Sequence, residues 1–294
     1  MRKHIITILL ILLLLLTACG TQDTPAMVAA TTLPVYEFTT RLCEGTDITV
    51  TRLVTENVSC LHDYALNVRQ VRAAEAAEII VINGAGLEAF MEDLLTGKTC
   101  IDASRDIALR ECEEAHDHEH DHEHEGHSHE EDSHIWLSPA NAIMMARNIC
   151  QGLSEAYPES ADVISSNLET LISDLEALEA YGETQLTALS CRNIVTFHDG
   201  FGYFADAYGL TILEAVEEES GSEASASDLK HLITLVSSEK LPAIFTETNG
   251  SVSAASVISR ETGAKVFTLS MAMSGESYFD AMYHNIDTIK EALG

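Results

Sequence analysis

Short apolar runs alternate along the chain with segments whose apolar residues recur at helical spacing. The strand-like runs cover residues 27–32, 48–54, 78–84 and 98–104 in the first half, and 193–198, 211–216, 242–248 and 265–270 in the second. The helical segments cover 35–45, 67–77, 201–209, 225–239 and 252–263, with one helix start expected near Ser227 or Asp228. Strands that alternate with helices predict parallel sheets built from βαβ units. We therefore predict an α/β fold with two Rossmann-like lobes.

One long amphipathic helix is predicted between the lobes. No Gly or Pro interrupts residues 159–181, and apolar residues recur there at helical spacing, at 164, 168, 171, 172, 175 and 178. A helix of this length spans on the order of 35 Å, enough for a strut along both lobes. We place the first lobe at 27–157, the linking helix at 158–189 and the second lobe at 190–294. A coiled-coil dimer seam is the alternative, but the heptad run is short, so we expect a monomer.

The N-terminus has the features of a lipoprotein export signal. Arg2 and Lys3 precede an apolar run from Ile5 to Leu16, and small residues lead into Cys19. We predict a signal peptide at 1–18, lipid attachment at Cys19 and a tether at 19–26, which would hold the protein on the membrane outside the cytoplasm. An uncleaved anchor helix is the alternative, although the apolar run is short for a membrane span.

Charge and cysteine content narrow the function further. The formal net charge of −31 repels nucleic acid and anionic lipid headgroups and attracts cations, so nucleic-acid partners are excluded. Besides Cys19, six cysteines remain, an even number that favours disulfides in an exported protein. Their pairing stays open, with 43–60 and 100–112 as short-range guesses. No Cys-x-x-Cys pair supports a zinc ribbon or a thioredoxin-type site.

A histidine-rich acidic segment interrupts the first lobe at 113–132. Its histidines are His116, His118, His120, His122, His124, His127 and His129. The segment has too few apolar residues to build a core, which predicts a flexible surface loop. Imidazoles beside carboxylates suit zinc, so we expect weak accessory binding of several ions. The alternative is a solvated acidic linker.

Three further histidines, His62, His134 and His198, each follow or close a strand-like segment. An α/β sheet places ligand-binding residues at such positions. A lone histidine there is nevertheless more often a hydrogen-bonded structural residue than a ligand.

Several motifs around these histidines resemble one family. They are SCLHDYAL at 59–66, INGAGLEAF at 82–90, HIWLSP at 134–139, FHDGFGYFADAYGL at 197–210 and GESYFDAMYHNI at 275–286. Together they resemble, in order, the metal-binding lipoproteins of zinc and manganese ABC importers, the cluster A-I substrate-binding proteins.

The resemblance implies a binding protein without catalysis. His62, His134 and His198 would bind one ion in the cleft between the lobes, and the protein would pass it to an ABC transporter permease. Many manganese importers have a carboxylate where this chain has His198, so the resemblance favours Zn²⁺ as the transported ligand. The preference of imidazole for zinc over manganese agrees.

The fourth ligand is left open. Many relatives place an Asp shortly after the last strand, where this chain has Leu269, which cannot coordinate metal. Water is the first candidate, and Glu247 is a weaker one for a direct or supporting contact. Leu61 replaces a proline common in relatives, which would relax the turn before His62.

Two other functions remain as alternatives. A manganese-binding receptor or adhesin would keep the same fold. A zinc hydrolase or lyase would also use three histidines and a water, but no His-Glu-x-x-His motif lies on a predicted helix to supply a general base.

Overall fold

The computed structural model describes residues 26–56, 58, 61, 64–111, 131–217, 225–248 and 252–294. The predicted signal peptide, Cys19, His62 and all seven histidines of the acidic segment lie outside these described residues. Among the helices described, none has the length and apolar content needed to cross a membrane.

The first half of the chain folds around a parallel four-stranded sheet. Its strands are β1 (Val28–Ala30), β2 (Val50–Arg52), β3 (Ile79–Ile82) and β4 (Thr99–Asp102), in the order β2-β1-β3-β4. The helices between them are α1 (Leu33–Leu42), α2 (Val68–Ala76) and α3 (Glu92–Leu95), the last preceded by a 3₁₀ turn at Leu87–Met91. The central strands β1 and β3 are almost wholly buried, as expected of a parallel sheet covered by helices.

Two long helices lead out of the first half. A 3₁₀ turn at Ile135–Leu137 is followed by α4 (Pro139–Ala156), and a second turn at Pro158–Ser160 leads into α5 (Ala161–Leu186). Helix α5 is the predicted strut, and its 26 residues span about 39 Å.

The second half contains a second parallel sheet with the order β6-β5-β7-β8. Its strands are β5 (Asn193–His198), β6 (Thr211–Glu217), β7 (Ala243–Glu247) and β8 (Lys265–Leu269). Its helices are α6 (Gly202–Tyr208), α7 (Ala226–Ser238), α8 (Val252–Thr262) and α9 (Tyr278–Leu293). The predicted α/β architecture of two parallel sheets and one long helix is confirmed.

Helix ends show where the sequence patterns were less accurate. Helix α7 begins at Ala226, close to the start expected near Ser227 or Asp228. Ser225 is its N-cap: the Ser225 hydroxyl accepts from the Asp228 amide, and the Asp228 carboxylate accepts from the Ser225 amide. Helices α4 and α9 were not predicted. Both have a serine N-cap, Ser138 and Ser277, that could have identified them.

Helix α5 packs against both halves. Arg41 of α1 forms an ion pair with Asp174, and Asn167 donates to the carbonyl oxygens at the end of α1. Farther along, the Tyr181 hydroxyl donates to Asp287 of α9 over 2.7 Å. These contacts join α5 to elements before and after it in the chain.

The hydrophobic core is continuous across the two halves. Trp136, which is fully buried, donates from its indole nitrogen to the Met271 carbonyl over 2.7 Å. The Tyr278 hydroxyl in turn donates to the Trp136 carbonyl over 2.8 Å. One aromatic residue of the first half is thus hydrogen-bonded to two positions of the second.

The expected disulfides are absent from the described cysteines. Cys43, Cys100, Cys150 and Cys191 are all free thiols, so the pairings guessed for 43 and 100 are wrong. Cys43 and Cys150 are packed in the hydrophobic core. Burial raises the pKa of the Cys43 thiol to about 12, so this side chain behaves as a small apolar residue.

Candidate metal centre

His134 is held at the entrance to a buried turn. It precedes the 3₁₀ turn whose residues Ile135, Trp136 and Leu137 are fully buried, and it is itself only 5% exposed. Anchoring by three apolar neighbours fixes the backbone from which the imidazole projects.

His198 is the last residue of β5 and is 1% exposed. It lies at the carboxyl end of a parallel strand, the edge of an α/β sheet where ligands bind. The two histidines therefore come from opposite halves of the chain.

The structure brings the two imidazoles together. The Nε2 atoms of His134 and His198 are 3.2 Å apart, and the ring planes are inclined at 85°. Two nitrogens bound to one tetrahedral zinc at about 2.05 Å would be about 3.3 Å apart. The observed separation therefore matches one edge of a zinc coordination tetrahedron.

Asp132 fixes the orientation of His134. One carboxylate oxygen lies 2.8 Å from Nδ1 of the ring and accepts the backbone amide of His134 over 2.9 Å. An ionised carboxylate can only accept, so this contact places the ring proton on Nδ1 and leaves the Nε2 lone pair available. Metal-binding histidines commonly have such a carboxylate partner.

Gly200 permits the close approach of these groups. A Cβ atom at this position would be 2.8 Å from His198 Cδ2, 3.1 Å from His134 Cε1 and 2.6 Å from the Met271 methyl carbon. Any larger residue would displace at least one of the three side chains.

Glu247 lies at the neighbouring strand end. β7 pairs with β5 with Thr196 opposite Phe245, so the same register carried forward by two residues sets Glu247 level with His198. Glu247 is 3% exposed, and its partner on β8 is the fully buried Leu269. The strand geometry thus keeps Glu247 near the pair of histidines, while Leu269 contributes only an apolar side chain.

The segment that carries His62 is anchored at both ends. Glu56, before His62, accepts a hydrogen bond of 2.5 Å from the hydroxyl of Tyr64, which follows His62. Gln70 of α2 donates to both of these side chains. Leu61 is 1% exposed and belongs to the core. The position of the His62 ring lies outside the described residues, so its place in the centre remains a prediction.

A buried carboxylate supports the first half of the centre. Burial raises the pKa of Glu88 to about 7, although it accepts from the Thr31 hydroxyl and from the amides of Asn83 and Gly84. Asn83 in turn donates to the Ser133 carbonyl over 3.1 Å, next to His134. Glu88 therefore holds the turn against which the His134 backbone rests.

The base of the histidine-rich segment adjoins the centre. Glu111 and Glu131 form an antiparallel bridge, and the Asp132 amide donates to the Arg110 carbonyl over 2.9 Å. Tyr203 of α6 accepts from the Arg110 amide and donates to the Asp132 carbonyl, each over 2.9 Å. The two ends of the segment are thus joined to each other and to the second half.

Sequence patterns did not identify all residues of the centre. Asp132, Gly200 and Met271 were not singled out, and the spacing Asp-Ser-His could have indicated only the first. Among the residues that the structure describes, no three His, Cys, Asp or Glu side chains form a ready metal site. The described part of the centre is therefore a converging pair of histidines with a carboxylate behind one of them.

The comparison with known proteins agrees with this architecture. The family model of ZnuA, described as the periplasmic zinc-uptake complex component A, matches residues 28–292. The chain belongs to this family. The ZnuA family is one of metal-binding, solute-binding proteins of transport systems, which agrees with the predicted non-enzymatic class.

Individual relatives include both zinc and manganese proteins. The chain is 31% identical to a zinc-binding lipoprotein, AdcA, of Streptococcus pneumoniae over 95% of its own length, and it spans 58% of that relative. It is 27% identical to the manganese-binding lipoprotein MntA of Halalkalibacterium halodurans, covering 79% of this chain and 77% of MntA. A crystal structure of ZnuA superposes with a TM-score of 0.78 at 28% identity, covering 92% of this chain and all of that one.

Proposed function

We propose that this protein captures Zn²⁺ outside the cytoplasm and delivers it to the permease of an ABC-type metal importer. The ion would be the transported substrate, bound between the two halves by His62, His134 and His198. Cys19 would carry the lipid anchor. The observation that carries the proposal is the 3.2 Å approach of two Nε2 atoms from opposite halves of the chain.

The donor set supports zinc. Imidazole nitrogens suit zinc, and the carboxylate of Asp132 increases the basicity of His134. Three histidines leave a fourth position, for which water is the first candidate and Glu247 the second. The strongly negative chain attracts cations toward the protein.

The same arrangement is sufficient for binding without turnover. Capture needs only converging lone pairs and a closed surrounding, which the buried histidines provide. A membrane permease and its ATPase would supply the work of transport. The family relationship supports this role, and a zinc hydrolase has no comparable support.

The first experiment measures zinc affinity by competition with a chromophoric chelator. We expect one tight zinc per chain, with strong loss of affinity in the separate variants H62A, H134A and H198A. His231→Ala is the matched control, since His231 is exposed on α7 and belongs to none of the motifs. Undiminished tight binding in all three variants would contradict the proposal.

The histidine-rich segment at 113–132 is proposed to collect additional zinc weakly. Deletion of residues 114–129, between the bridged ends, should remove the weak sites in calorimetry and leave the tight one. An unchanged number of bound ions after deletion would rule out this accessory role.

Manganese is the second candidate ion, because MntA is among the relatives. Titration of zinc against manganese on the same protein decides between them. A higher affinity for manganese would replace zinc in the proposal and leave the site unchanged.

A further inference from the structure

The side chain of Met271 and the two histidines surround the same small space beside Gly200. The space beside Gly200 is bounded by the Met271 methyl carbon, His198 Cδ2 and His134 Cε1, all within 3.1 Å of the position that a Cβ would take. Met271 is only 4% exposed, so its side chain is buried beside Gly200.

The backbone around Met271 is held firmly. Its carbonyl accepts the Trp136 indole N–H over 2.7 Å, and Asn285 makes two hydrogen bonds of 2.7 Å to the backbone of Ser270. The next residue, Ala272, is fully buried and has a φ of 52°. That conformation costs a non-glycine residue about 1 kcal/mol and persists only where the surroundings impose it. The loop therefore fixes the backbone from which the Met271 side chain reaches the space beside Gly200.

The chemistry of a thioether bears on which ion fits. Zn²⁺ is satisfied by four nitrogen, sulfur or oxygen ligands. Mn²⁺ prefers oxygen donors in an octahedral shell, so it needs room for further carboxylates or waters. An uncharged methionine side chain supplies neither a hard oxygen nor space for a water.

We propose that Met271 is a specificity-determining residue, which excludes manganese by filling with an apolar side chain the space that an extra oxygen ligand would need. This inference rests on the proposed function, and it adds a residue and a mechanism of ion selection to it. Met271 acts by occupying volume beside the ion, so coordination by its sulfur is not required.

The test compares Met271→Asp, Met271→Ala and Met271→Leu in the full chain. Zinc affinity is measured by chelator competition, and manganese affinity by the electron paramagnetic resonance signal of free Mn²⁺. We expect Asp to lower the ratio of zinc to manganese affinity by about tenfold or more, the scale on which residues around a metal alter binding. Ala, which leaves room for water, should lower the ratio less. Leu, which preserves the apolar volume, should keep it near the wild-type value.

Thermal melting of each variant establishes that it is folded, and Ala provides the test if a buried carboxylate prevents folding. An unchanged ratio in folded Ala and Asp variants would overturn the role of Met271, as would a Leu variant that loses selectivity as strongly as Asp does. Failure of the wild-type protein to bind zinc through its histidines would instead overturn the proposed function. The two failures are therefore distinguishable.

Discussion

Replacement of Asp132 tests whether the carboxylate behind His134 prepares the ring to bind zinc. Asp132 is 7% exposed, and its carboxylate makes two short contacts with His134, 2.8 Å to Nδ1 and 2.9 Å to the amide. A hydrogen bond to a charged group contributes about 1.5–3 kcal/mol. Loss of the carboxylate would release the ring and remove the charge that favours the Nδ1–H tautomer.

The size of the effect follows from these contacts. Asp132→Asn keeps a neutral acceptor and removes the charge, for a loss of about 1.4 kcal/mol, or tenfold in zinc affinity. Asp132→Ala removes both contacts and should weaken binding by up to about a hundredfold. Thermal melting should show folded protein in both cases, because the turn at 135–137 remains anchored by its buried side chains.

The assay is competition for zinc with a chromophoric chelator at fixed pH and ionic strength. Asp93→Asn, an exposed acid on α3, controls for the change in net charge. Zinc affinity of Asp132→Ala within twofold of the wild-type value would refute the orienting role. Equal losses in the Asp93 control would attribute the effect to net charge.

Three further predictions concern the support of the centre. The Glu88 pKa of about 7 lies above the unfolded value, so its contribution to stability is fully present below about pH 4.5 and is lost as pH rises through 7. In urea titrations, the wild-type free energy of unfolding should therefore fall relative to that of Glu88→Gln by up to about 3 kcal/mol between pH 5 and 8. A difference that stays constant with pH would contradict the raised pKa. Tyr64→Phe removes the hydroxyl bonded to Glu56 and should weaken zinc binding about threefold with little change in melting temperature. Unchanged zinc affinity would show that the bond between Tyr64 and Glu56 does not position His62. Trp136→Phe leaves the buried Met271 carbonyl without its donor and should cost about 1–3 kcal/mol in chemical unfolding, so a neutral effect would argue against this bond as a link between the halves.

Much of the fold followed from local pattern. The alternation of buried strands with helices predicted the eight strands that the structure contains, and the spacing of apolar residues predicted α5. These features are readable because hydrophobic periodicity reflects burial on one face of each element. Helices α4 and α9 were not predicted, although each has a capping serine at its start.

The centre was predictable only in part. His134 and His198 were candidates from their places beside strands. They are 64 residues apart in the sequence, so the approach of their Nε2 atoms to 3.2 Å depends on the packing of the two halves. The fourth ligand and the position of His62 remain predictions. Nothing in the local sequence shows that Gly200 leaves room for the rings, or that Met271 turns toward them.

The sequence by itself determined the strands and most of the helices, the order of the strands along the chain and the kinds of donor available. Tertiary structure alone decided which of those donors meet, because distances between side chains from separate sheets are set by the packing of Trp136 and its neighbours. It also left the four described cysteines as free thiols, although the even number of cysteines in the sequence had favoured disulfides. Local periodicity encodes which face of an element is buried, whereas the contacts across two lobes arise only when those faces are packed together.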